Sequence, residues 1–164
     1  MQIRPAVDAD LDAILDIHNH AIRELLSIWT ETEVDRADRE RWLAEHQEQG
    51  HPVLVAEIDG AVAGYASYGP WRSKTGYRFT VENSVYVAEG YQRQGIARLL
   101  MVDLIEIARE SGIHVMVAAI EAGNTASIRL HEQLGFEPPV LVREVGTKFG
   151  RWLDLAFMRL VLET

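Results

Sequence analysis

The sequence of 164 residues contains no cysteine, and this absence removes several kinds of chemistry at once. It excludes a disulfide framework, a thiolate metal site and a cysteine nucleophile. The sequence also lacks a Gly-x-Ser-x-Gly segment, which presents the nucleophilic serine in α/β-hydrolases. We therefore expect no covalent intermediate on a cysteine or on a serine of that kind.

Long apolar runs are absent as well. No stretch approaches the ~20 consecutive apolar residues that a membrane-spanning helix needs. The first residues, Met1 to Pro5, lack the apolar core of a signal peptide. We therefore expect a cytoplasmic protein with no membrane partner, and the lack of cysteine is compatible with that compartment.

Basic residues are in the minority, with 16 Lys and Arg against 25 Asp and Glu and a formal net charge of −9. Binding to a phosphate backbone needs a basic face, so we expect no nucleic acid as the main partner. The charge counts only weakly against a small anionic ligand, which responds to the local field. Salt screens carboxylates that lie more than about 8–10 Å away.

The remaining composition, 48% hydrophobic and 25% charged, is typical of a globular protein, and the length suits one domain over residues 1–164. Hydrophobic periodicity and turn residues predict a mixed α/β domain in the order β-α-α-β-β-β-α-β-α-β-β. Asp59-Gly60 predicts a tight hairpin, and residues 146–150 are predicted to connect the last two strands. The predicted strands are 2–7, 53–58, 61–68, 81–87, 114–120, 140–145 and 152–162, and the predicted helices are 11–25, 35–49, 96–111 and 125–134.

The segment from Val81 to Arg109 organises the chain, because it joins a strand, a turn and a helix. Arg93 and Gly95 lie in the turn, and the apolar residues after it recur with the 3.6-residue period of a helix. Free N–H groups and the positive end of the helix dipole meet at such a turn, which suits a phosphate or pyrophosphate. Geometry alone leaves an ordinary structural turn, in which the glycine relieves strain, equally open.

Specific residues within this turn favour the anion site. Gln92, Arg93, Gly95 and Ala97 match the Gln/Arg-x-x-Gly-x-Gly/Ala signature, and the chain resembles the GNAT acyltransferases that carry it. Three further segments, T-V-E-N-S-V-Y-V, L-H-E-Q-L-G-F and G-T-K-F-G-R-W-L-D-L-A-F-M, are similar to one branch of that family. This branch acetylates phosphinothricin, methionine sulfoximine or methionine sulfone. The resemblance implies a mixed, mostly antiparallel sheet with splayed central strands, flanked by helices.

The resemblance also implies acetyl-CoA as the cosubstrate, with no metal. The backbone of the central strand would pair with the pantetheine, and the Val85 N–H would stabilise the oxyanion. The turn would hold the pyrophosphate, and the first turn of a later helix would add contacts, although its residues are also ordinary helix caps. The implied cofactor-binding residues are Val85, Tyr86, Val87, Arg93, Gln94, Gly95, Ile96, Ala97, Arg98, Asn124 and Ser127.

Two side chains are candidates for proton transfer. An amine attacks a thioester only when it is neutral, and Glu82 is the base that the branch proposes. The alternative is that Glu82 only anchors the substrate ammonium. The two roles are not exclusive, because an anchoring carboxylate can also relay the proton. His131 falls where many GNAT enzymes have a tyrosine that protonates the leaving thiolate, and a purely structural histidine is an equal alternative.

An arginine near the proposed base suggests how a substrate is held. Arg72 and Lys74 are candidates for binding an α-carboxylate. The branch usually has an aromatic residue at position 74 and a histidine at position 83, so these departures leave the side-chain specificity open. The candidate substrate-binding residues are Arg72, Ser73, Lys74, Glu82, Asn83 and Ser84, with Tyr77 and Phe79 as further wall residues.

The resemblance further implies a homodimer, because in the branch the segment 148–152 reaches the active site of the partner subunit. We expect direct acetyl transfer to the α-amino group of a small amino-acid-like substrate. One alternative keeps the fold and changes the amine to a polyamine, an aminoglycoside or a protein N-terminus. Another alternative is a catalytically silent module that binds acetyl-CoA.

Overall fold

The computed structural model describes residues 1–162, and its order of helices and strands confirms the predicted one. By contacts, the chain divides into two compact units. The first unit contains Met1–His20, Val34–Gly69 and Asn83–Ile107, and the second contains Ala21–Glu33, Pro70–Glu82 and the chain from Ala108 onward. The elements are β1 Gln2–Pro5, α1 Leu11–Glu24, α2 Arg36–Glu48, β2 Val53–Ile58, β3 Ala61–Pro70, β4 Thr80–Val87, α3 Ile96–Glu110, β5 Val115–Glu121, α4 Thr125–Gln133, β6 Val140–Lys148 and β7 Arg151–Val161.

The strands are hydrogen-bonded in the order β1-β2-β3-β4-β5-β7-β6. The pairs β1–β2, β2–β3, β5–β7 and β6–β7 are antiparallel, and β4–β5 is parallel. The sheet is therefore mixed and mostly antiparallel, as the resemblance implied. No helix within residues 1–162 combines the length and the apolar character that a membrane span requires.

The first unit is built around the β2–β3 hairpin and the helices that cover it. Asp59 and Gly60 have φ values of 50° and 80°, the left-handed pair that a tight two-residue hairpin requires. Apolar residues one helical turn apart on α1 enter a single core cluster with α2 and the hairpin strands. The cluster contains Ala6, Leu11, Ile14, Ile17, Leu43, Val53, Val55 and Tyr65. Leu25, which was predicted at the end of α1, lies beyond it and is 45% exposed.

The second unit contains the start of β4, together with β5, β7 and β6. Thr80–Glu82 of β4 pair with Val115–Val117 of β5. The prediction that residues 146–150 form a loop was wrong, because β6 continues to Lys148. The turn is only Phe149 and Gly150, with φ values of 51° and 68°.

A buried lysine lies in the part of β6 that was predicted to be a loop. Lys148 is 1% exposed, and its ammonium donates hydrogen bonds to the carbonyl oxygens of Ala21, at 3.3 Å, and Leu25. The Leu25 carbonyl lies just beyond the last residue of α1, where the backbone leaves acceptors unsatisfied and favours a cation. The Ala21 carbonyl also accepts the Leu25 N–H, at 3.1 Å. Lys148 therefore belongs to β6 and also contacts the C-terminal end of α1.

Candidate functional site

The residues predicted for the site lie in both units, and each part has its own geometry. In the second unit, the loop between β3 and β4 presents the residues predicted to hold a carboxylate. Arg72, Ser73, Lys74 and Tyr77 line an open pocket of roughly 330 Å³. Because two of these side chains are cationic and two carry hydroxyl groups, the pocket suits a small anionic group.

Four other candidates for substrate contact, Phe79, Glu82, Asn83 and Ser84, lie outside this lining. Phe79 is 51% exposed and packs under the guanidinium of Arg78, which lies 4.5 Å from its ring centroid. Asn83 is buried in β4, and Ser84 next to it is half-buried. Their role in substrate binding stays a prediction.

Glu82 is half-buried near the start of β4, in the second unit. Burial raises the pKa of its carboxyl group, and the positive charge of Arg72 partly opposes this by lowering the same pKa. A carboxylate with a raised pKa is a stronger base than an ordinary glutamate. Glu82 therefore combines the basicity that proton abstraction needs with a cationic side chain in its field.

In the first unit, β4 continues from Asn83 to Val87. Val85 and Val87 alternate with Tyr86, whose ring lies 5.2 Å from that of Tyr65. Close packing of β3 against β4 depends on Gly64, because a Cβ atom there would come within 2.8 Å of the Tyr86 carbonyl oxygen. The predicted structural role of the Tyr86 side chain therefore has a packing basis, while any cofactor contact by β4 would use its backbone.

The turn after β4 has the backbone shape of an anion site. Arg93 and Gly95 adopt φ values of 63° and 77°, and α3 begins directly afterwards at Ile96. Residues 92–95 are exposed, as is Arg98, and neither arginine forms an ion pair within the described residues. Exposed N–H groups at the start of a 15-residue helix, with two available cations, are suited to a phosphate. Gln94 and Ala97 complete this turn and the first turn of α3.

In the second unit, the start of α4 is a side-chain cap. The Asn124 side chain accepts a hydrogen bond of 3.1 Å from the Ser127 N–H, as the sequence predicted for a helix cap. His131, one turn later, is 2% exposed, and its Nδ1 lies 2.8 Å from the Ser127 carbonyl oxygen. Because a carbonyl only accepts, Nδ1 must carry the proton. Burial lowers the pKa of His131, which favours the neutral ring.

One family model matches most of the chain: the acetyltransferase (GNAT) family matches residues 14–136. The chain belongs to the GNAT family of acetyltransferases. It is 52% identical over 163 residues to the L-methionine sulfoximine/L-methionine sulfone acetyltransferase of Salmonella typhimurium, a match that covers 99% of this chain and 95% of that one. The predicted family and branch are thereby confirmed.

Solved GNAT structures agree with the fold. The ribosomal-protein-alanine N-acetyltransferase from Brucella melitensis is 52% identical with a TM-score of 0.97, covering 99% of this chain and 100% of that one. The phosphinothricin acetyltransferase from Sinorhizobium meliloti, solved in complex with acetyl-CoA, is 36% identical with a TM-score of 0.95 and covers 98% and 88%. The predicted GNAT fold is confirmed.

The sequence reasoning missed Trp71, the residue that precedes the candidate carboxylate ligand. The Arg72 guanidinium carbon lies 4.8 Å from the centroid of the Trp71 ring. An aromatic residue directly beside a candidate ligand was visible in the sequence, but its contact with the neighbouring side chain depends on rotamers that sequence does not fix. Within residues 1–162, no cluster of three or more His, Asp or Glu side chains is arranged to hold a metal.

Proposed function

We propose that this GNAT enzyme transfers the acetyl group of acetyl-CoA to the α-amino group of a small amino-acid-like substrate of the methionine sulfone, methionine sulfoximine or phosphinothricin type. The observation that carries this proposal is the half-buried Glu82, with its raised pKa, in the field of the pocket residue Arg72. An amino acid would place its amine at Glu82 and its carboxylate at Arg72. The relative named for methionine sulfoximine and sulfone supports the same substrate class.

Glu82 would accept the proton that the substrate ammonium must lose before its nitrogen can attack. Acetyl-CoA supplies the activated thioester carbonyl carbon. The amine nitrogen would form a bond to that carbon and the carbon–sulfur bond would break. The nitrogen would then lose its second proton, which would go to the departing thiolate. Arg72 would hold the carboxylate, and the Val85 N–H would donate to the carbonyl oxygen as negative charge develops there.

The residues present fit acetyl-CoA. The exposed N–H groups from Arg93 to Arg98 would bind the pyrophosphate, and both arginines would add charge. The backbone of Val85 and Val87 would pair with the pantetheine amides. The β4–β5 register covers the stretch up to Glu82, so these two residues lie beyond it, which supports that role. Asn124 and Ser127 would provide the contacts at the start of α4.

For His131, the geometry supports the structural alternative better than the acid. Its protonated Nδ1 is used by the Ser127 carbonyl, and a neutral ring with this tautomer carries no proton on Nε2 to donate. We propose that His131 anchors α4, where its ring also packs edge-on against Phe136 at 4.8 Å. A His131→Asn variant with a normal rate at saturating substrate would support the anchor, and a loss of about 100-fold would restore the acid role.

We also propose a cytoplasmic homodimer that is formed through the β6–β7 hairpin. The edge strand β6 is exposed along most of its length, and an exposed apolar edge invites pairing with another chain. Sedimentation velocity at micromolar concentration is expected to give twice the monomer mass of 18.5 kDa. The exposed apolar residues of the hairpin are Val140, Leu141, Val142, Val145, Phe149 and Trp152.

The proposed activity is tested by free-thiol release from acetyl-CoA with a panel of amines. Methionine sulfone, methionine sulfoximine and phosphinothricin would be compared with spermidine, kanamycin and a peptide beginning with alanine. Turnover of the amino-acid-like compounds that collapses in Glu82→Gln supports the proposal. Turnover of the polycations or the peptide alone would move the acceptor to another amine class. Binding of acetyl-CoA without any turnover would favour the silent module.

A further inference from the structure

Arg72 has very few constraints for a residue that is proposed to recognise a substrate. Its side chain is exposed and forms no hydrogen bond or ion pair within the described residues. Its guanidinium packs on the ring of Trp71, with the guanidinium carbon 4.8 Å from the ring centroid. This distance is within the range in which a cation is attracted to the face of an indole. The position of Arg72 therefore depends on the position of Trp71.

Trp71 is itself held from two sides. Its ring lies 5.6 Å from the ring of Phe157 at an interplanar angle of 34°, and Phe157 is fixed in β7 by pairing with Ala119. On the other side, the edge of the ring packs against Tyr77 at 5.2 Å and 84°. The loop that follows Trp71 is exposed from residue 72 to residue 79. The half-buried Trp71 ring is thus fixed by packing at the start of this exposed loop.

We infer that Trp71 is a positioning residue for substrate recognition: its ring, held against Phe157, restrains the Arg72 guanidinium in the orientation that binds the α-carboxylate of the acceptor. This inference rests on the proposed function. A free arginine side chain samples many rotamers, and ordering it on a substrate costs conformational entropy. A guanidinium already held on an aromatic face loses less of that freedom, so the carboxylate binds more tightly.

A purely structural role for Trp71 makes different predictions. If the ring only stabilised the fold, its loss would lower thermal stability and affect all substrates alike. If it acts through Arg72, its loss weakens only acceptors that carry a carboxylate. The chain also offers a control on the same loop, because the Arg78 guanidinium lies 4.5 Å from the Phe79 ring and Arg78 does not line the pocket.

The experiment measures KM and kcat for methionine sulfone and for its α-carboxamide, which keeps the amine and removes the carboxylate charge. Trp71→Leu is expected to raise KM for methionine sulfone about twofold to fivefold, the factor that corresponds to the loss of one cation–π contact at an exposed site. We expect kcat, KM for the carboxamide and KM for acetyl-CoA to stay near the wild-type values. Trp71→Phe, which keeps an aromatic face, is expected to retain most of the affinity. Arg78→Gln, which removes the other cation–π contact of this loop, is expected to resemble the wild type.

A double variant tests the route of the effect. In an Arg72→Gln background, Trp71→Leu is expected to add no further increase in KM, because the two residues act as one unit. Equal losses for both acceptors, or additive losses in the double variant, would overturn the inference and leave Trp71 structural. If the wild-type enzyme acetylates neither acceptor, the proposed function fails first and the inference fails with it.

Discussion

The turn after β4 and the loop before it are both exposed, and they differ in the groups that they would offer to a ligand. The turn offers backbone N–H groups, whose direction is set by the left-handed conformations of Arg93 and Gly95 and by the start of α3. The loop offers side chains, with Arg72 and Lys74 at a pocket and only a tryptophan ring behind the arginine. One region is suited to a ligand common to a whole family, and the other to a ligand that differs between its members.

This difference indicates which part of a binding site can accept substitutions without loss of the fold. A backbone site tolerates many side chains but requires a few residues that permit its φ angles. A side-chain site can be rewritten by single substitutions, since the loop that carries it contributes little to the core. The following predictions separate the two kinds of site, in order of decreasing effect.

Glu82→Gln should have the largest effect, because the amide cannot accept the proton of the substrate amine. We expect kcat to fall by about 10²–10⁴-fold, the usual contribution of a general base. Thiol-release kinetics at saturating substrates measure it. Glu132→Gln removes the same charge from an exposed position on α4 and should keep the wild-type rate. A loss below about threefold in Glu82→Gln would reduce this residue to an anchor.

Gly95→Ala should weaken the backbone site without touching any side chain. A Cβ atom at position 95 meets nothing within 4 Å, so the cost is the left-handed conformation alone, about 1–2 kcal/mol. We expect KM for acetyl-CoA to rise up to about tenfold while KM for the acceptor is unchanged. Gly112→Ala is the matched control, with a φ of 74° and equally open space at the end of α3. If both variants change KM for acetyl-CoA equally, the turn is only structural.

Lys74→Phe should change acceptor preference by severalfold and leave acetyl-CoA binding intact. Members of the branch usually have an aromatic residue at this position, and Lys74 lines the pocket. The substitution removes one positive charge, so phosphinothricin, with its second anionic group, should lose more than methionine sulfone. Ratios of kcat/KM for the two compounds provide the readout. An unchanged ratio would show that Lys74 does not contact the acceptor side chain.

The smallest effect concerns pH. If Glu82 is the general base, as we propose, its deprotonated form is the active one. The value of kcat/KM should then rise with pH through the pKa of this group, which burial raises above its ordinary value. Arg72 lowers that same pKa, and Arg72→Gln should therefore move the acidic limb to higher pH. The shift should be small, because Arg72 is exposed and its field is screened. Measuring the pH profile with the carboxamide acceptor separates this shift from any effect on carboxylate binding. A shift of the acidic limb toward lower pH in Arg72→Gln would contradict the assignment of this limb to Glu82.

The sequence predicted the backbone site better than the side-chain site, and the reason is physical. The turn depends on a glycine, a following amphipathic helix and a preceding strand, all of which are local patterns. Beside the pocket residue Arg72, Trp71 packs between Tyr77 and Phe157. Phe157 lies 86 positions after Trp71 in the chain. Such a contact has no local pattern in the sequence. Arg72 could therefore be proposed as a ligand from the sequence, but the packing of Trp71 beside it could not be predicted.

The same limit explains the error at the end of the chain. Gly146, Thr147 and Gly150 made residues 146–150 resemble a loop, but Thr147 and Lys148 pair with Trp152 and Arg151. Gly146 is needed there because a Cβ atom would overlap the Trp29 ring, at 2.1 Å from its nearest carbon. A glycine that leaves room for a distant ring is indistinguishable, in sequence, from one that ends a strand.

One crossed kinetic measurement tests the division of roles most directly. KM for acetyl-CoA and for methionine sulfone would be determined in the same assay for Arg93→Gln/Arg98→Gln and for Arg72→Gln. We expect the first variant to raise only KM for acetyl-CoA and the second to raise only KM for methionine sulfone. Each increase should be about tenfold, the effect of losing a charge-assisted contact. If the turn variant weakens methionine sulfone, or Arg72→Gln weakens acetyl-CoA, the assignment of the two regions is contradicted.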